Sequence, residues 1–322
     1  MIKKIMNKDK LLLTGASGFI GQAALQQFSQ RGMFVRPVYR SVSQASGVAG
    51  AEVVPSLDGD TDWSAALKMV DVVVHAAARA HIMRDEALDP LIEYRRVNVQ
   101  GTLNLAQQAA AAGVRRFVFI SSIKVNGEGT LLGQPFKADD VPAPVDAYGI
   151  SKAEAEAGLW QIAQATGMEL VIIRPVLVYG PGVKGNLASM LRWVQRAVPL
   201  PLGAVTANRR SLVALDNLVD LIVLCTQHPQ AANQVFLVSD GSDVSTTELL
   251  CRMAAAVQRP ARLWPVPVGL LHLGARLLGK QAVAQRLLGS LQVDIVKNHQ
   301  LLGWQPPVTM QAALQKIKET GL

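Results

Sequence analysis

Tyr148 and Lys152 stand four positions apart in the stretch DAYGISK, residues 146–152. On a helix, residues at this spacing share one face. A tyrosine with an unperturbed pKa of about 10 is a poor base at neutral pH, whereas an adjacent ammonium group and an oxidised nicotinamide would both favour the phenolate and lower this pKa toward neutrality. Such a pair can exchange a proton with a substrate hydroxyl or carbonyl group. The same spacing is common on ordinary helix surfaces, so the interpretation depends on what else the chain supplies.

Ser122 supplies a second polar group, in the stretch SSIKVNG at residues 121–127. This stretch follows an apolar segment predicted to be a strand, and in parallel sheets the carboxyl ends of strands face the ligand crevice. We expect Ser122 to hydrogen-bond the same substrate oxygen as Tyr148. Asn98 begins a long predicted helix, where it either orients a water molecule or Lys152, or caps the helix.

The stretch TGASGFIG, residues 14–21, predicts a phosphate-binding turn. Gly15 permits a tight turn, Gly18 allows the backbone to approach a pyrophosphate, and Gly21 allows close packing of helix on strand. The helix that follows offers unpaired N–H groups and a positive dipole end. The predicted cofactor contacts in this turn are Gly15, Ser17, Gly18, Phe19, Ile20 and Gly21. A nicotinamide dinucleotide bound here would supply or accept the hydride that accompanies proton exchange at Tyr148.

The end of the second predicted strand bears on the choice between NAD and NADP. An Asp or Glu at that place would favour NAD, but the chain reads VRPVYRS, with Arg40 and Ser41. An arginine can pair with a 2′-phosphate, so NADP(H) is preferred and NAD(H) is the alternative. Arg40 as a plain surface residue is the other interpretation. Asp58 is a candidate for contacting the adenine, or equally a turn-forming aspartate.

These residues are positioned by alternating strands and helices. Five apolar stretches in the first half predict strands, at residues 10–14, 33–39, 51–56, 70–76 and 115–121, and two later ones follow at 170–179 and 234–240. Helical patterns cover residues 20–32, 63–70, 97–113 and 151–167, and further helical stretches follow Asn186 and Asp216. This alternation predicts an α/β fold with a doubly wound parallel Rossmann sheet and a smaller C-terminal substrate-binding domain.

Composition narrows the class of protein. The chain has 322 residues, 50% of them hydrophobic and 17% charged, which suits a globular protein with a large core. The net charge of +8 comes from scattered basic residues without a nucleic-acid motif, so an anionic small-molecule substrate is favoured over nucleic acid. Two cysteines and no Cys/His cluster predict neither a disulfide framework nor a metal site. No signal peptide or membrane-spanning segment is evident, so we expect a cytoplasmic protein.

Six motifs together closely resemble the extended short-chain dehydrogenase/reductases of the nucleotide-sugar epimerase/dehydratase group. They are TGASGFIG, HAAA (75–78), NVQGT (98–102), SSIKVNG, YGISK and RPVLVYGPG. Within the group, NRRSLVALDNLVDLI followed by FLVSDG is most similar to C4 reductases and epimerase-like enzymes of bacterial O-antigen sugar assembly. The resemblance covers nearly the whole chain and implies a UDP-sugar substrate and a homodimer.

The resemblance also implies roles for individual residues. It makes Ser122, Tyr148 and Lys152 the catalytic triad, and it places Ala76, Ala77 and Pro175 beside the cofactor. It assigns the nucleotide-sugar to Asn186 and Leu187, and the diphosphate to Arg210. The Arg-Pro-Gly-Asp stretch near the C-terminus of many UDP-sugar epimerases is absent, and Arg286 is the candidate to take over its phosphate contact. A bidentate guanidinium suits phosphate. A salt-bridge role is the alternative for Arg210.

Departures from the group's pattern limit the reaction. Sugar 4,6-dehydratases of the group carry an Asp–Glu pair after the catalytic hydroxyl, where this chain has Ile123 and Lys124. Dehydration is therefore disfavoured. The leading hypothesis is reduction at C4 of a UDP-4-keto-6-deoxy-(N-acetyl)hexosamine, and the main alternative is a UDP-hexose 4-epimerase with tightly bound NAD. A non-catalytic nucleotide sensor is a minor alternative, because all three triad residues are present.

The expected domain division places residues 1–179 and 211–240 in the cofactor-binding domain. Residues 180–210 and 241–322 form the nucleotide-sugar-binding domain. Sugar specificity is expected from the loops around 80–90, 124–130, 180–210 and 285–292. The apolar segment 261–290 carries Arg276, Lys280 and Arg286. We favour a core-packed helical pair with a solvated basic edge there, and contact with an anionic membrane surface is the alternative.

Overall fold

A computed structural model of the chain describes residues 9–80, 89–183 and 185–320. Seven parallel strands form the main sheet, in the order β3-β2-β1-β4-β5-β6-β9. These strands are β1 (Lys10–Thr14), β2 (Phe34–Tyr39), β3 (Glu52–Val53), β4 (Val72–His75), β5 (Arg116–Ile120), β6 (Glu169–Pro175) and β9 (Gln234–Val238). A separate parallel pair consists of β7 (Leu177–Tyr179) and β8 (Leu212–Ala214). The strand order reverses direction between β1 and β4, which is where such sheets bind dinucleotides.

Helices connect these strands and extend the chain beyond β9. The first seven are α1 (Phe19–Gln30), α2 (Val42–Ala45), α3 (Ser64–Leu67), α4 (Pro90–Tyr94), α5 (Thr102–Ala111), α6 (Ala147–Thr166) and α7 (Gly185–Gln195). The others are α8 (Leu215–Gln227), α9 (Thr246–Ala256), α10 (Val268–Leu277), α11 (Gln281–Leu288), α12 (Val296–Leu302) and α13 (Met310–Thr320). A π-helical segment, Arg95–Gly101, joins α4 to α5, and 3-10 turns lie at Ile123–Val125 and Pro229–Ala231.

The sheet is buried on both faces, as its continuous apolar strands predict. Leu11 and Leu13 belong to a hydrophobic cluster shared with α1 and α8, whereas Leu12 belongs to a second cluster shared with α5 and α6. A third cluster packs α7, α9 and α13 around β7 and β8. The Rossmann sheet predicted from the sequence is thus confirmed. None of the helices in the described ranges is long and apolar enough to cross a membrane.

Some element boundaries were predicted wrongly. The single strand expected at residues 170–179 divides at Val176, because β6 stays in the main sheet while β7 pairs with β8. Pro175 ends β6 and has no backbone N–H to donate. The strand expected at 51–56 is only Glu52–Val53, and the helix expected at 63–70 is only Ser64–Leu67. The helix expected at 97–113 is π-helical up to Gly101.

Candidate active site

Gly15 makes the turn after β1 with a positive φ of 73°. A Cβ atom there would lie 2.7 Å from the Ala77 nitrogen and 2.8 Å from the Ala76 carbonyl carbon, so only glycine fits. A Cβ atom on Gly21 would collide with the Gly15 carbonyl oxygen. Gly18 precedes α1, whose first turn has no side-chain cap. The first-turn N–H groups of α1 therefore remain open to an anion such as a pyrophosphate.

A buried network that the sequence interpretation missed holds this turn against β4. His75 Nδ1 lies 2.7 Å from the Thr14 hydroxyl oxygen, and His75 Nε2 lies 3.0 Å from the Thr102 hydroxyl oxygen. The Ala77 N–H donates to the same Thr14 oxygen at 3.3 Å. Burial and the Lys152 charge lower the pKa of His75 to about 3, so its ring is neutral. A histidine ending an otherwise apolar strand was the available signal.

The predicted adenosine side of the cofactor site lies at the end of β2. Arg40 is exposed there, and no ion pair to it is formed by the described residues. A groove of about 520 Å³ runs beside the glycine turn. It is lined by Ala16, Ser17, Gln22, Leu25, Gln26, Tyr39 and Gln44. Phe19 and Ile20 begin α1 and pack against the first hydrophobic cluster. The turn and the groove fit a dinucleotide.

Asp58 forms a compact turn. Its carboxylate accepts hydrogen bonds from the Ser56 and Thr61 hydroxyl groups and from the Asp60 N–H. The hydrogen bonds from Ser56 and Thr61 hold the pKa of the Asp58 carboxyl below its usual value. The structure thus gives Asp58 the turn-forming role, and its contact with adenine remains a prediction.

Tyr148 and Lys152 both lie on α6, which begins one residue before the tyrosine. Asp146 caps this helix by accepting a 2.7 Å hydrogen bond from the Gly149 N–H. A Cβ atom on Gly149 would lie 2.8 Å from the Lys124 carbonyl oxygen. The glycine after Tyr148 therefore lets α6 approach the turn that follows Ser122. The condition set by the sequence, that Tyr148 and Lys152 share one helix, is met.

The electrostatics of Tyr148 differ from the expectation. Burial, together with the charge of Asp146, raises the pKa of the Tyr148 phenol above its ordinary value, and a hydrogen bond with Ser122 partly offsets this. Lys152 Nζ donates to the Ile120 carbonyl oxygen at 2.8 Å and lies 4.3 Å from the centroid of the Phe119 ring. The protein groups by themselves therefore do not lower the Tyr148 pKa, and its lowering beside an oxidised nicotinamide stays a prediction.

Lys152 is almost completely buried, and this burial explains the difference. Desolvation lowers the pKa of Lys152 to about 7, against an opposing effect of Glu156. Near neutral pH the side chain is therefore only partly charged, so it favours the phenolate less than a full ammonium would. Lys152 is a group whose charge is sensitive to its surroundings.

Asn98 lies within the π-helical segment, buried among backbone groups. Its amide nitrogen donates to the Arg79 carbonyl oxygen at 3.1 Å and to the Ser151 hydroxyl at 3.0 Å, and its amide oxygen accepts from the Arg79 N–H at 2.8 Å. Ser151 donates in turn to the Tyr148 carbonyl oxygen at 2.8 Å. Asn98 thus fixes the start of α6 against the segment after β4. The helix-capping alternative is wrong, because α5 begins only at Thr102.

A buried ion pair lies one helical turn beyond Lys152. Arg174 Nη2 lies 2.5 Å from a Glu156 carboxylate oxygen, and both side chains are almost wholly enclosed. Ser121 donates to the same carboxylate, and Arg174 donates to the Asn126 side-chain oxygen at 3.0 Å. This network joins α6, β6 and the turn after β5, and sequence reasoning did not identify it. Ser121, Asn126 and Arg174 lie within the motifs SSIKVNG and RPVLVYGPG, but their pairing with Glu156 has no local signal in the sequence.

Lys124 occupies the place where dehydratases carry a carboxylate. Its ammonium group pairs with Asp146 and, at 3.0 Å, with Glu128. The hydrogen bonds that Lys124 donates to these two carboxylates raise its pKa despite its partial burial. The position therefore holds a cation.

The predicted substrate residues occupy two places. Asn186 is exposed in the first turn of α7, whereas the Leu187 side chain lies in the third hydrophobic cluster. A side-chain contact of Leu187 with a ligand is therefore excluded. Its backbone N–H is the group that could contact the nucleotide-sugar. Arg210 Nη1 donates to the Gly289 carbonyl oxygen at 3.3 Å, and burial lowers the pKa of this arginine. Arg286 is exposed on α11, three residues before Gly289.

Other predicted residues lie at the carboxyl edge of the main sheet. Ala76 and Ala77 follow β4, and Pro175 ends β6, where it pairs with Val238. The structure therefore brings the glycine turn, both alanines, Ser122 and Pro175 to the same edge of the sheet. Part of the loop predicted to confer specificity around 80–90 lies outside the described residues.

Comparison with known proteins defines the class. The model of the NAD dependent epimerase/dehydratase family matches residues 11–239. The chain is 49% identical over 314 residues to the UDP-glucose 4-epimerase of Vibrio cholerae, covering 97% of this chain and 95% of the relative. The chain belongs to the NAD dependent epimerase/dehydratase family, whose members use nicotinamide cofactors.

Solved structures share the fold. The UDP-N-acetylglucosamine 4-epimerase of Bacillus cereus superposes with a TM-score of 0.77 at 19% identity, covering 97% of this chain and 96% of that one. The Bordetella bronchiseptica enzyme WbmG, solved in complex with NAD and UDP, has a TM-score of 0.72 at 21% identity. The match covers 95% of this chain and 92% of that one. At these identities the likeness concerns the fold.

Proposed function

We propose that this protein is an NAD(P)-dependent oxidoreductase that acts at C4 of a UDP-sugar. The observation that carries the proposal is the placement of Tyr148 and Lys152 on α6, with Ser122 near enough to lower the tyrosine pKa and the glycine turn at the same sheet edge. The cofactor, when bound, supplies or accepts the hydride. Ser122, Tyr148 and Lys152 are the proposed catalytic residues.

Tyr148 holds the proton that is exchanged with the sugar oxygen at C4. Because burial raises its pKa, the neutral phenol is the resting form, and it donates its proton to the carbonyl oxygen only as that oxygen gains negative charge. Ser122 hydrogen-bonds the same oxygen. A substrate alkoxide nearby would favour the charged form of Lys152, and the ammonium group in turn favours the phenolate left after donation.

The other contacts in the proposal follow the sheet edge and α7. The dinucleotide would be held by the glycine turn, Ala76, Ala77 and Pro175, and by the start of α6, which Asn98 fixes. Arg40 and Asp58 would lie at its adenosine end. Asn186 and the Leu187 N–H, in the first turn of an 11-residue helix, suit the phosphate groups of a nucleotide-sugar. Arg210 and Arg286 would contact the diphosphate.

Reduction of a UDP-4-keto-6-deoxy-(N-acetyl)hexosamine is the leading form of the reaction. Arg40 stands at the end of β2, where NAD-binding proteins carry an acidic residue, and its guanidinium is free of ion pairs to described residues. It therefore suits the 2′-phosphate of an exchangeable NADP(H). The absence of carboxylates at Ile123 and Lys124 argues against dehydration. Bacterial O-antigen sugar assembly is the proposed context.

A UDP-hexose 4-epimerase is the second candidate, favoured by the relative from Vibrio cholerae that bears this name. Epimerisation begins with the same hydride and proton exchange but requires a retained NAD. Both forms share the proposed division into a cofactor domain (1–179 and 211–240) and a nucleotide-sugar domain (180–210 and 241–322), and a homodimer. A cytoplasmic location is part of the proposal, because Cys225 and Cys251 are free thiols.

Purified protein distinguishes the two forms of the reaction. The protein is mixed with a UDP-4-keto-6-deoxy-N-acetylhexosamine and NADPH, and nicotinamide absorbance is followed. Stoichiometric oxidation of NADPH supports the reductase. Interconversion of UDP-GlcNAc and UDP-GalNAc without added cofactor, together with no oxidation of NADPH, contradicts it and supports the epimerase. Arg40→Ala should raise the KM for NADPH at least about tenfold and leave that for NADH nearly unchanged.

A further inference from the structure

Helix α10 carries two apolar stripes, on roughly opposite sides of the helix. Val268 and Leu271 pack against the third hydrophobic cluster. Leu270, Leu273 and Leu277 recur at helical spacing on the far side, where they are 58%, 54% and 78% exposed. A helix that covers a core needs only one apolar stripe. The exposed stripe, defined as these three leucines, is therefore unexplained by the packing of the described residues.

Further apolar side chains extend the exposed stripe at both ends. Trp264 precedes α10 and is 64% exposed, and Leu278 follows it at 72%. Val283 on α11 is also exposed. Contiguous exposed apolar groups on a protein surface generally mark a binding surface. Tryptophan is enriched where proteins meet the interface of a bilayer, because its ring is amphipathic.

The same segment lacks acidic residues, so its net charge is positive, although Arg252 forms an ion pair with Glu248 immediately before it. Residues 249–293 contain six Lys and Arg residues and no Asp or Glu, so this segment contributes six of the eight net positive charges. The six are Arg252, Arg259, Arg262, Arg276, Lys280 and Arg286. Arg262, Arg276, Lys280 and Arg286 are exposed around the apolar groups. Apolar groups framed by cations and free of acids complement an anionic apolar interface.

A second copy of this chain fits the surface poorly. A symmetric interface would bring the same patch together from both copies. Like charges would then face each other without a carboxylate from residues 249–293 to neutralise them, and such juxtaposition disfavours association. An anionic lipid surface has no such conflict.

We propose that the surface formed by Trp264, the exposed stripe, Leu278 and their flanking cations binds anionic phospholipid. α10 would lie in the plane of the bilayer interface, with its leucines among the acyl chains and Arg276 and Lys280 at the headgroups. A groove of about 390 Å³ between α10 and α11 reaches Gly289, whose carbonyl oxygen accepts from Arg210. The lipid-binding surface would thus adjoin the proposed diphosphate position.

Flotation with vesicles tests this proposal independently of any catalytic activity. The full-length protein is mixed with vesicles of phosphatidylcholine alone or of equal parts phosphatidylcholine and phosphatidylglycerol. The wild type should float with the anionic vesicles, less with the neutral ones, and less as sodium chloride is raised. Leu273→Asp/Leu277→Asp should lower the partition coefficient at least about tenfold. Lys280→Gln should lower it about fivefold.

Met69→Asp/Val141→Asp is the matched control, because it makes the same change in charge at two exposed apolar residues outside the segment. This control should float like the wild type. The proposal is overturned if the wild type does not float with anionic vesicles, or if both the leucine and Lys280→Gln variants float like the control. It is also overturned if the leucine variant turns a dimer into a monomer in light scattering without affecting flotation. The Lys280→Gln arm decides the question if the leucine variant does not fold.

Discussion

At the scale of single residues, the site combines a phenol that resists ionisation with an amine that resists protonation. Burial causes both shifts, because each charged form loses hydration. In the resting site, these two pKa shifts keep both Tyr148 and Lys152 from becoming charged. They make the proton on Tyr148 available to a substrate oxygen only when a compensating charge develops nearby.

Tyr148→Phe removes the proposed proton donor without changing the shape of the ring. Turnover should fall by about 10²–10⁴-fold, which is the usual contribution of a general acid. Cofactor binding, measured by fluorescence titration, should change little, because the predicted dinucleotide contacts lie mainly on the glycine turn and the ends of the strands. Retained turnover with intact cofactor binding would contradict the assignment.

Lys152→Met tests the cost of burying the amine. The shift of the Lys152 pKa from 10.5 to about 7 destabilises the folded state, by at most roughly 5 kcal/mol before the contacts with Ile120 and Phe119 are considered. The variant should be more stable than the wild type near pH 7, by about 2 kcal/mol, and nearly inactive. Denaturant unfolding measures the stability.

The pH dependence of this effect has a definite sign. Between pH 7 and 10.5 the unfolded chain binds a proton at Lys152 that the folded chain does not, so wild-type stability rises with pH over this window. The advantage of the methionine variant should therefore shrink as pH rises toward 10. The exposed Lys68→Met variant controls for loss of a lysine elsewhere. An advantage that stays constant with pH would contradict the account.

At the scale of elements, the site depends on how closely α6 approaches the turn after β5. Gly149 and Lys124 define this approach, and the Glu156–Arg174 network holds the two elements together about two turns further along the helix. Tyr148 is carried by α6 and Ser122 by the turn. Small shifts between the two elements therefore change the geometry around the reacting oxygen.

Gly149→Ala should disturb this approach. Its Cβ would lie 2.8 Å from the Lys124 carbonyl oxygen, so α6 or the turn must move. We expect kcat to fall about 10- to 100-fold. Gly274→Ala is the matched control, because this helical glycine in α10 has open space around it. The control should keep full activity and gain up to about 1 kcal/mol of stability. Equal activity of the two variants would contradict the role given to Gly149.

Arg174→Met leaves the buried Glu156 carboxylate without its partner. Breaking a buried pair from one side should cost about 3–5 kcal/mol of unfolding free energy. The double variant Glu156→Met/Arg174→Met removes both charges and should recover a large part of that loss. Thermal or denaturant unfolding of the three proteins measures the coupling. If the double variant is less stable than Arg174→Met, the buried pair does not act as described.

At the scale of the whole molecule, the sequence predicted the sheet but not every path of the chain through it. Strands buried on both faces, such as Leu11–Leu13, produce apolar runs that are visible without a structure. The separation of β6 from β7 at Val176 depends on pairing with β8, which lies more than 30 residues later along the chain. Such long-range pairing leaves no local pattern.

The candidate site was likewise predicted in part. Glycine spacing and the Tyr148–Lys152 interval are local signals, and they identified the turn and the helix. The His75 network and the Glu156–Arg174 pair join residues far apart in the chain, so their partners are not apparent from either side alone. The shift in the Lys152 pKa also depends on burial, which sequence spacing does not report. For this reason the sequence did not predict that the protein groups alone raise the Tyr148 pKa.

The central claim is that the protein exchanges hydride at C4 of a UDP-sugar. It is tested most directly by supplying a UDP-4-keto-6-deoxy sugar together with reduced nicotinamide cofactor that carries deuterium at its transferable position. Mass spectrometry and NMR of the product should find one deuterium, at C4, for the wild type, and no labelled product above background for Tyr148→Phe. Deuterium at another carbon, or reduced product without deuterium at C4, would contradict the account.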